Sequence, residues 1–195
     1  LLARVGVAVH IVPEQEKPDP AFPTVKAPNP EDPDAFTLAV PLADRIGADA
    51  ILATDPDSDR LGVAVRKKYG AFDVLTVNQI GILLLHYLLS ARKEKGTLPE
   101  NGIVAKSLVS TRMADAICAR FGVACKDVPT GFRFISEVID RCERTGEQTF
   151  LFGFEESYGF LSGSFARDKD AICAAMLVAE ACVYYKQKGM TLYDV

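Results

Sequence analysis

Two short apolar runs, Ile51-Leu-Ala-Thr54 and Leu61-Gly-Val-Ala-Val65, flank Asp55-Pro-Asp-Ser-Asp-Arg60. This pattern constrains the fold more than any other in the chain. Runs of this length and β-compatible composition predict buried strands, so the acidic stretch becomes a loop joining two pieces of scaffold. Asp55, Asp57 and Asp59 place three carboxylates within five residues. Such a cluster repels itself unless water screens it or a cation binds it. Mg²⁺ suits it, because a hard cation takes oxygen ligands and tolerates a short loop that leaves coordination positions open.

Three other readings compete. An EF-hand also begins with acids at alternate positions, but its sixth position needs glycine and its twelfth glutamate. Arg60 and Arg66 stand there instead. A haloacid-dehalogenase-type phosphatase would use Asp55 as nucleophile and Asp57 as acid. That pattern has threonine or valine where this chain has Asp59, and no later strand-borne acidic pair is evident. The third reading is a solvated acidic turn, the ordinary fate of acidic clusters.

The 195 residues are 49% apolar and 25% charged, as in a globular protein of one large or two small domains. A net charge of −4 leaves no electrostatic footprint for nucleic acid or an anionic membrane. No apolar run approaches the roughly 20 residues that span a bilayer, and no signal peptide is evident. Five cysteines form no CxxC pair, and only two histidines accompany them, which disfavours zinc. Their apolar neighbours, as in Ala116-Ile-Cys118, suggest reduced core thiols and a cytoplasmic location. The chain opens in mid-pattern without an initiator methionine, as a fragment would.

Leu1–Gly6 reads as the last turn of a helix and Val7–Val12 as a strand. Seven prolines between Pro13 and Pro33 exclude regular structure, and the apolar residues among them predict a loop lying on the domain. A helix is expected over Pro33–Ile46, stopped by Gly47. Lys67–Gly70 is expected to turn the chain into a strand at Ala71–Leu75. Thr76 or Asn78 caps a helix to Lys95, with Ile80, Leu83, Leu84, Tyr87 and Leu88 as its apolar stripe. Beyond it, strands are expected at Ile103–Val109, Val123–Val128 and Phe150–Phe152, and helices at Arg112–Phe121, Phe132–Arg144 and Lys169–Lys188. Gly153–Gly159 reads as a loop. The alternation predicts α/β architecture: two consecutive α/β domains with mixed sheets flanked by helices, the first incomplete, divided as 1–74 and 75–195.

A second constellation lies at Phe152-Gly-Phe-Glu-Glu-Ser-Tyr-Gly159, two acids and a hydroxyl bounded by glycines after a strand. Adjacent carboxylates can each accept from two hydroxyls, which suits a polyol. Arg167-Asp-Lys-Asp170 follows at a helix start, where backbone amides favour an anion.

These stretches together resemble the α-D-phosphohexomutases, the phosphoglucomutase and phosphomannomutase superfamily. The similarity runs through Phe22-Pro-Thr-Val, Pro28-Asn-Pro-Glu, Asp55-Pro-Asp-Ser-Asp-Arg, Leu75-Thr-Val-Asn-Gln-Ile-Gly, Lys106-Ser-Leu-Val-Ser, Pro129-Thr-Gly-Phe-Arg, Phe154-Glu-Glu-Ser-Tyr-Gly and Arg167-Asp-Lys-Asp, from about Val12 to Val195. It covers the later part of the second and the whole third of the four domains of such enzymes. Nothing matches the first-domain phosphoserine loop or the fourth-domain phosphate loop.

The resemblance implies that Asp55, Asp57 and Asp59 ligate Mg²⁺, with phosphoserine oxygen completing the site. It implies that Arg60 clamps phosphate and that Lys169 stands near the phosphoryl acceptor as a catalytic group. Glu155 and Ser157 would hold sugar hydroxyls, with Thr130, Gly131 and Arg133 facing the sugar. The implied activity is that of an isomerase working by intramolecular phosphoryl transfer, interconverting glucose 1-phosphate and glucose 6-phosphate through a 1,6-bisphosphate. Mannose or pentose phosphates remain open as substrates. The 195 residues alone are expected to fold from Leu75 onward, to be inactive as a mutase, to bind metal or sugar phosphate weakly, and to self-associate through an exposed sheet edge in the first 70 or so residues.

Overall fold

The structure is a computed structural model describing residues 1–68 and 70–195. The two runs flanking the acids form β1 (Ala50–Thr54) and β2 (Leu61–Arg66), paired antiparallel from Ala50 opposite Val65 to Thr54 opposite Leu61. β3 (Phe72–Val74) pairs with the other edge of β2 and completes a three-stranded antiparallel sheet. Gly70 has φ 96°, and Lys67 N–H donates to the Ala71 carbonyl at 2.7 Å. Tyr69, in the expected turn, lies outside the described residues.

β2 is apolar from Leu61 to Val65 because both its faces are covered there. Leu61, Val63 and Val65 join a large core, while Ala64 joins Phe36, Ala43 and Ile51 in a small one. A Cβ on Gly62 would overlap the Pro30 carbonyl and sit 3.0 Å from the Phe36 ring. Buried Pro30 is therefore where the proline-rich stretch docks, whereas most of Pro13–Ala27 is exposed.

The second sheet has the order β5-β4-β6-β7. β4 (Gly102–Ser107) lies parallel to β5 (Ala124–Val128) and β6 (Thr149–Glu155), and β7 (Gly159–Ser162) returns antiparallel to β6. The expected helices appear as α1 (Ala39–Ile46), α2 (Val77–Glu94), α3 (Met113–Phe121), α4 (Phe132–Thr145) and α5 (Ala171–Lys186). Residues of α4 cover one face of this sheet, with Ile135 and Ile139 against Ile103 and Phe150. On the other face, residues of α2, α3 and α5 form one cluster with Val104 and Phe152 that also takes in Leu61, Val63 and Val65. The apolar core thus runs unbroken across Leu75. No helix among the described residues is long and apolar enough to cross a membrane.

Thr76 and Gln79 form a reciprocal capping box at the start of α2, as the Thr-x-x-Gln spacing requires. Ile80, Leu83, Leu84, Tyr87 and Leu88 are all buried. Other expectations need correction. Val7–Val12 forms no strand, and Val9 and Ile11 are 45% and 59% exposed. Apolar composition alone makes no strand without a partner to complete the ladder.

Pro33–Ile46 is divided into a 3₁₀ turn (Pro33–Phe36) and α1. Pro41 lacks an N–H, and starting α1 at Ala39 places it in the first turn, where that N–H would have no partner anyway. β4 stops at Ser107, leaving Leu108 and Val109 exposed. Gly153–Gly159 is not a loop: β6 runs to Glu155, β7 starts at Gly159, and only Glu156–Tyr158 turns between them.

The close approach at Gly62 yields a stability test. Gly62→Ala should destabilise the chain by about 1–3 kcal/mol, the usual cost of overpacking. At this length that lowers the melting midpoint by roughly 2–4 °C for each kcal/mol. An unchanged midpoint in thermal melts would show that Pro30 and Phe36 are not packed on β2.

Candidate functional site

The loop between β1 and β2 is shaped by its first acid. Asp55 is 8% exposed, and its Oδ1 accepts the N–H of Asp59 at 3.1 Å and of Arg60 at 3.0 Å. Ser58 adopts φ 58°, a left-handed conformation uncommon outside glycine, and its N–H donates to the Asp55 carbonyl. The chain curls accordingly, and Asp55, Asp57 and Asp59 each present a carboxylate oxygen within 4.8 Å of the others.

Main-chain bonds fasten this loop to the second constellation. Leu61 N–H donates to the Tyr158 carbonyl at 3.0 Å, Arg60 bridges antiparallel to Gly159, and Ala171 N–H donates to the Ser58 carbonyl at 3.0 Å. The start of β2, the β6–β7 turn and the start of α5 therefore share one backbone frame. Within it Lys169 Nζ reaches Asp59 Oδ2 at 2.7 Å and stands 3.7 Å from Asp168 Oδ1. The lysine stem crosses Gly159 so closely that a Cβ there would overlap Lys169 Cδ and lie 3.1 Å from Glu155 Oε1. Glu155, 4% exposed, lies beneath it at the end of β6.

The electrostatics follow from burial and these partners. Burial pushes the Asp55 carboxyl above its usual range; the Arg60 N–H opposes this, and Asp59 and Asp57 add to it. Burial also pushes Asp59 up, but the bond from Lys169 and the nearby Arg60 outweigh it and hold Asp59 below its usual range. Burial lowers Lys169, yet Asp59, Asp168 and Glu155 keep the ammonium above its usual value. Glu155 is raised, chiefly by burial, with Lys169 offsetting part of the cost.

Arg60 lies between acids without closing on the loop. Its Nη1 is 3.2 Å from Glu31 Oε1, while Nε is 3.7 Å from Asp55 Oδ2 and 3.9 Å from Asp59 Oδ1. Asp59 Oδ1, Arg60 Nε and Glu156 Oε2 are buried without a hydrogen-bond partner. An orphaned carboxylate oxygen inside a cluster of hard oxygen donors is what a site for Mg²⁺ offers, so the residues present fit that ion.

Not every expected residue joins the cluster. Ser157 lies in the β6–β7 turn and is half-buried. Thr130 is exposed just before α4, Gly131 starts that helix with φ 108°, and the Arg133 guanidinium stacks 4.5 Å from the Phe134 ring centre. Among the described residues, no hydrogen bond or ion pair connects these three to the acidic loop. Lys106 lies opposite both Asp127 and Phe154, so β5 and β6 end at the same edge of the sheet, and Thr130–Arg133 and Glu155–Ser157 extend from it. That carboxyl edge is where open α/β sheets bind ligands.

Two acids in the cluster were not singled out from sequence, Glu31 and Asp168. Both lay within quoted motifs, but nothing in sequence alone pairs Glu31 with Arg60, 29 positions away.

Comparison with known proteins bears on this geometry. The phosphoglucomutase of Staphylococcus aureus (strain USA300) is 40% identical over 185 residues, covering 95% of this chain and 32% of that protein. The chain thus spans about a third of the length of the curated relatives it matches. A structure from Thermus thermophilus described as a phosphomannomutase superposes with a TM-score of 0.72 at 26% identity, covering 98% of this chain and 39% of the other. An Aspergillus fumigatus N-acetylphosphoglucosamine mutase, solved with GlcNAc-6P and magnesium, shares the fold at TM-score 0.55 and 15% identity, covering 73% of this chain and 31% of that one. Family models for phosphoglucomutase/phosphomannomutase match the chain at residues 1–70 (alpha/beta/alpha domain II) and 76–195 (alpha/beta/alpha domain III). With domain III alone matching more than half of its residues, the chain belongs to the phosphoglucomutase/phosphomannomutase family.

Proposed function

We propose that the chain supplies the metal-binding and sugar-binding part of a phosphoglucomutase-type enzyme. The parent would interconvert glucose 1-phosphate and glucose 6-phosphate by phosphoryl transfer from a phosphoserine outside these residues, through a 1,6-bisphosphate. Residues 1–74 carry the acidic loop in this reading and residues 75–195 the sugar loop. The observation that carries it is the shared backbone frame, which brings Asp59, Lys169 and Glu155 to one end of the sheet although they are distant in sequence.

Asp55, Asp57 and Asp59 would hold Mg²⁺, which when bound neutralises charge on the transferring phosphoryl group. Arg60 presents an unpaired Nε to the same space and is suited to gripping a phosphate oxygen. Lys169 brings an ammonium to the acceptor side, where it can hold phosphate or pass a proton. Glu155 accepts from sugar hydroxyls and fixes which oxygen meets the phosphoryl group. Ser157, Thr130, Gly131 and Arg133 would complete the sugar site from the loops at the carboxyl edge. The Glu155-Glu-Ser157 sequence supports glucose over mannose, with phosphopentoses the alternative. A phosphatase using Asp55 as nucleophile is less well supported, since one of its oxygens is already committed to two backbone N–H groups.

Two predictions test the roles. Asp57 is exposed and makes no packing contribution of note. Asp57→Asn should weaken Mn²⁺ binding by at least about tenfold, the lower end of what losing even an outer-shell partner costs. It should abolish turnover in the parent enzyme and leave the melting temperature unchanged or higher. Undiminished turnover in the purified variant would remove Asp57 from the reaction.

The second concerns Glu155, whose folded pKa lies above its unfolded value. The associated stability is fully present below the unfolded pKa and is lost as pH rises through the folded one, so at neutral pH a buried carboxylate weakens the fold. Glu155→Gln should therefore raise the melting temperature at pH 7, with the gain vanishing as the pH falls below the ordinary glutamate range. In the parent enzyme it should raise KM and lower kcat together. A variant that is less stable at pH 7 and kinetically normal would make Glu155 a structural residue.

A further inference from the structure

Arg60 Nε and Asp59 Oδ1 face one another across 3.9 Å, and both are buried with no hydrogen-bond partner. A buried donor and a buried acceptor with opposite charges would gain by closing that gap, since each unmade bond costs about 1–3 kcal/mol. Something holds them apart. The Arg60 backbone is fixed on both sides: its N–H donates to Asp55, and the residue bridges to Gly159. The outer end of the guanidinium is held by a single carboxylate, Glu31, through Nη1 at 3.2 Å.

Glu31 is itself well placed. Asn29 Oδ1 accepts its N–H at 3.1 Å, and the preceding Pro30 is buried against Gly62 of β2. The final residues of the proline-rich stretch thus form a rigid arm that delivers one carboxylate to the far side of Arg60. On the near side Lys169 already occupies Asp59 Oδ2. If Arg60 also closed on Asp59, both oxygens of that acid would be taken by internal cations.

We propose that Glu31 is a positioning residue that restrains Arg60, keeping Asp59 Oδ1 and Asp55 Oδ2 open to a divalent cation and the guanidinium Nε free for phosphate. This rests on the acidic loop being the metal site. In effect the proline-rich arm sets the affinity of a loop 24 residues downstream of Glu31, at Asp55. The residue acts through Arg60 and touches neither metal nor substrate.

The test is a double-mutant cycle on the chain itself, read by Mn²⁺ binding and by thermal melting of the metal-free protein. Glu31→Ala should weaken Mn²⁺ about tenfold, because Arg60 closes on the acids, and should leave the melting temperature unchanged or raised. Glu31→Gln keeps an acceptor oxygen and should fall between wild type and Glu31→Ala. Arg60→Met should bind Mn²⁺ at least as tightly as wild type, and adding Glu31→Ala to it should change the affinity less than twofold. An equal loss in both backgrounds would overturn the inference, as would a lowered melting temperature accompanying the lost affinity. Wild-type binding that is unaffected by Glu31→Ala would overturn it while leaving the metal reading intact. A wild-type chain that binds no Mn²⁺ would overturn both.

Discussion

The hydrogen bond from Leu61 to the Tyr158 carbonyl, continued by the bridge between Arg60 and Gly159, carries the architecture of the candidate site. It joins the start of β2 to the start of β7, so strands of two separate sheets are tied end to end. Ala171 adds a third tie, from the beginning of α5 to Ser58 inside the acidic loop. Because all three are backbone bonds, the relative placement of the acids, Glu155 and Lys169 does not depend on long side chains finding each other. Side-chain chemistry is then added to a backbone frame, the arrangement that the proposed phosphoryl transfer, dominated by positioning, would demand.

That frame is held at a local cost. Two non-glycine residues in it, Ser58 and Tyr158, adopt left-handed backbone conformations, and Glu155 is a buried carboxyl. Among the described residues three buried side-chain polar atoms lack hydrogen bonds, and all three belong to the acidic loop or the β6–β7 turn. Elsewhere the chain has large aliphatic cores on both faces of a sheet and a fully formed capping box on α2, with Phe22 of the proline-rich stretch a further non-glycine residue at positive φ. Unpartnered polar atoms gathered at one place on an otherwise well-packed fold are the mark of a site held ready for ligands, stabilised by the rest of the fold.

Much of this was legible in sequence because the signals were local. Ile51–Val65 reads as two strands joined by an acidic loop, and Thr76 as one of two candidate caps of a helix, since both signals need only neighbouring residues. Pro41, tolerated only in a first helical turn, is the local sign that α1 begins near Ala39 and not at Pro33. β7 was hidden because Phe160-Leu-Ser162 is too short to show a period, and its pairing with β6 is set by a three-residue turn with an unusual Tyr158 backbone. Val7–Val12 misled for the opposite reason, an apolar run whose ladder partner no local pattern can supply. Glu31 was invisible as a site residue because its meaning lies in a contact across 29 positions that only docking of Pro30 on Gly62 creates.

The central claim is that three carboxylates, joined by backbone bonds to the β6–β7 turn, form one divalent-cation site. Its most direct test is a crystal structure of the chain soaked in Mn²⁺, with anomalous diffraction locating the ion. A single strong peak is expected roughly 2.0–2.3 Å from oxygens of Asp55, Asp57 and Asp59, as for a hard octahedral cation. An acidic loop without a peak, closed by Arg60 and Lys169 while manganese binds elsewhere, would contradict it.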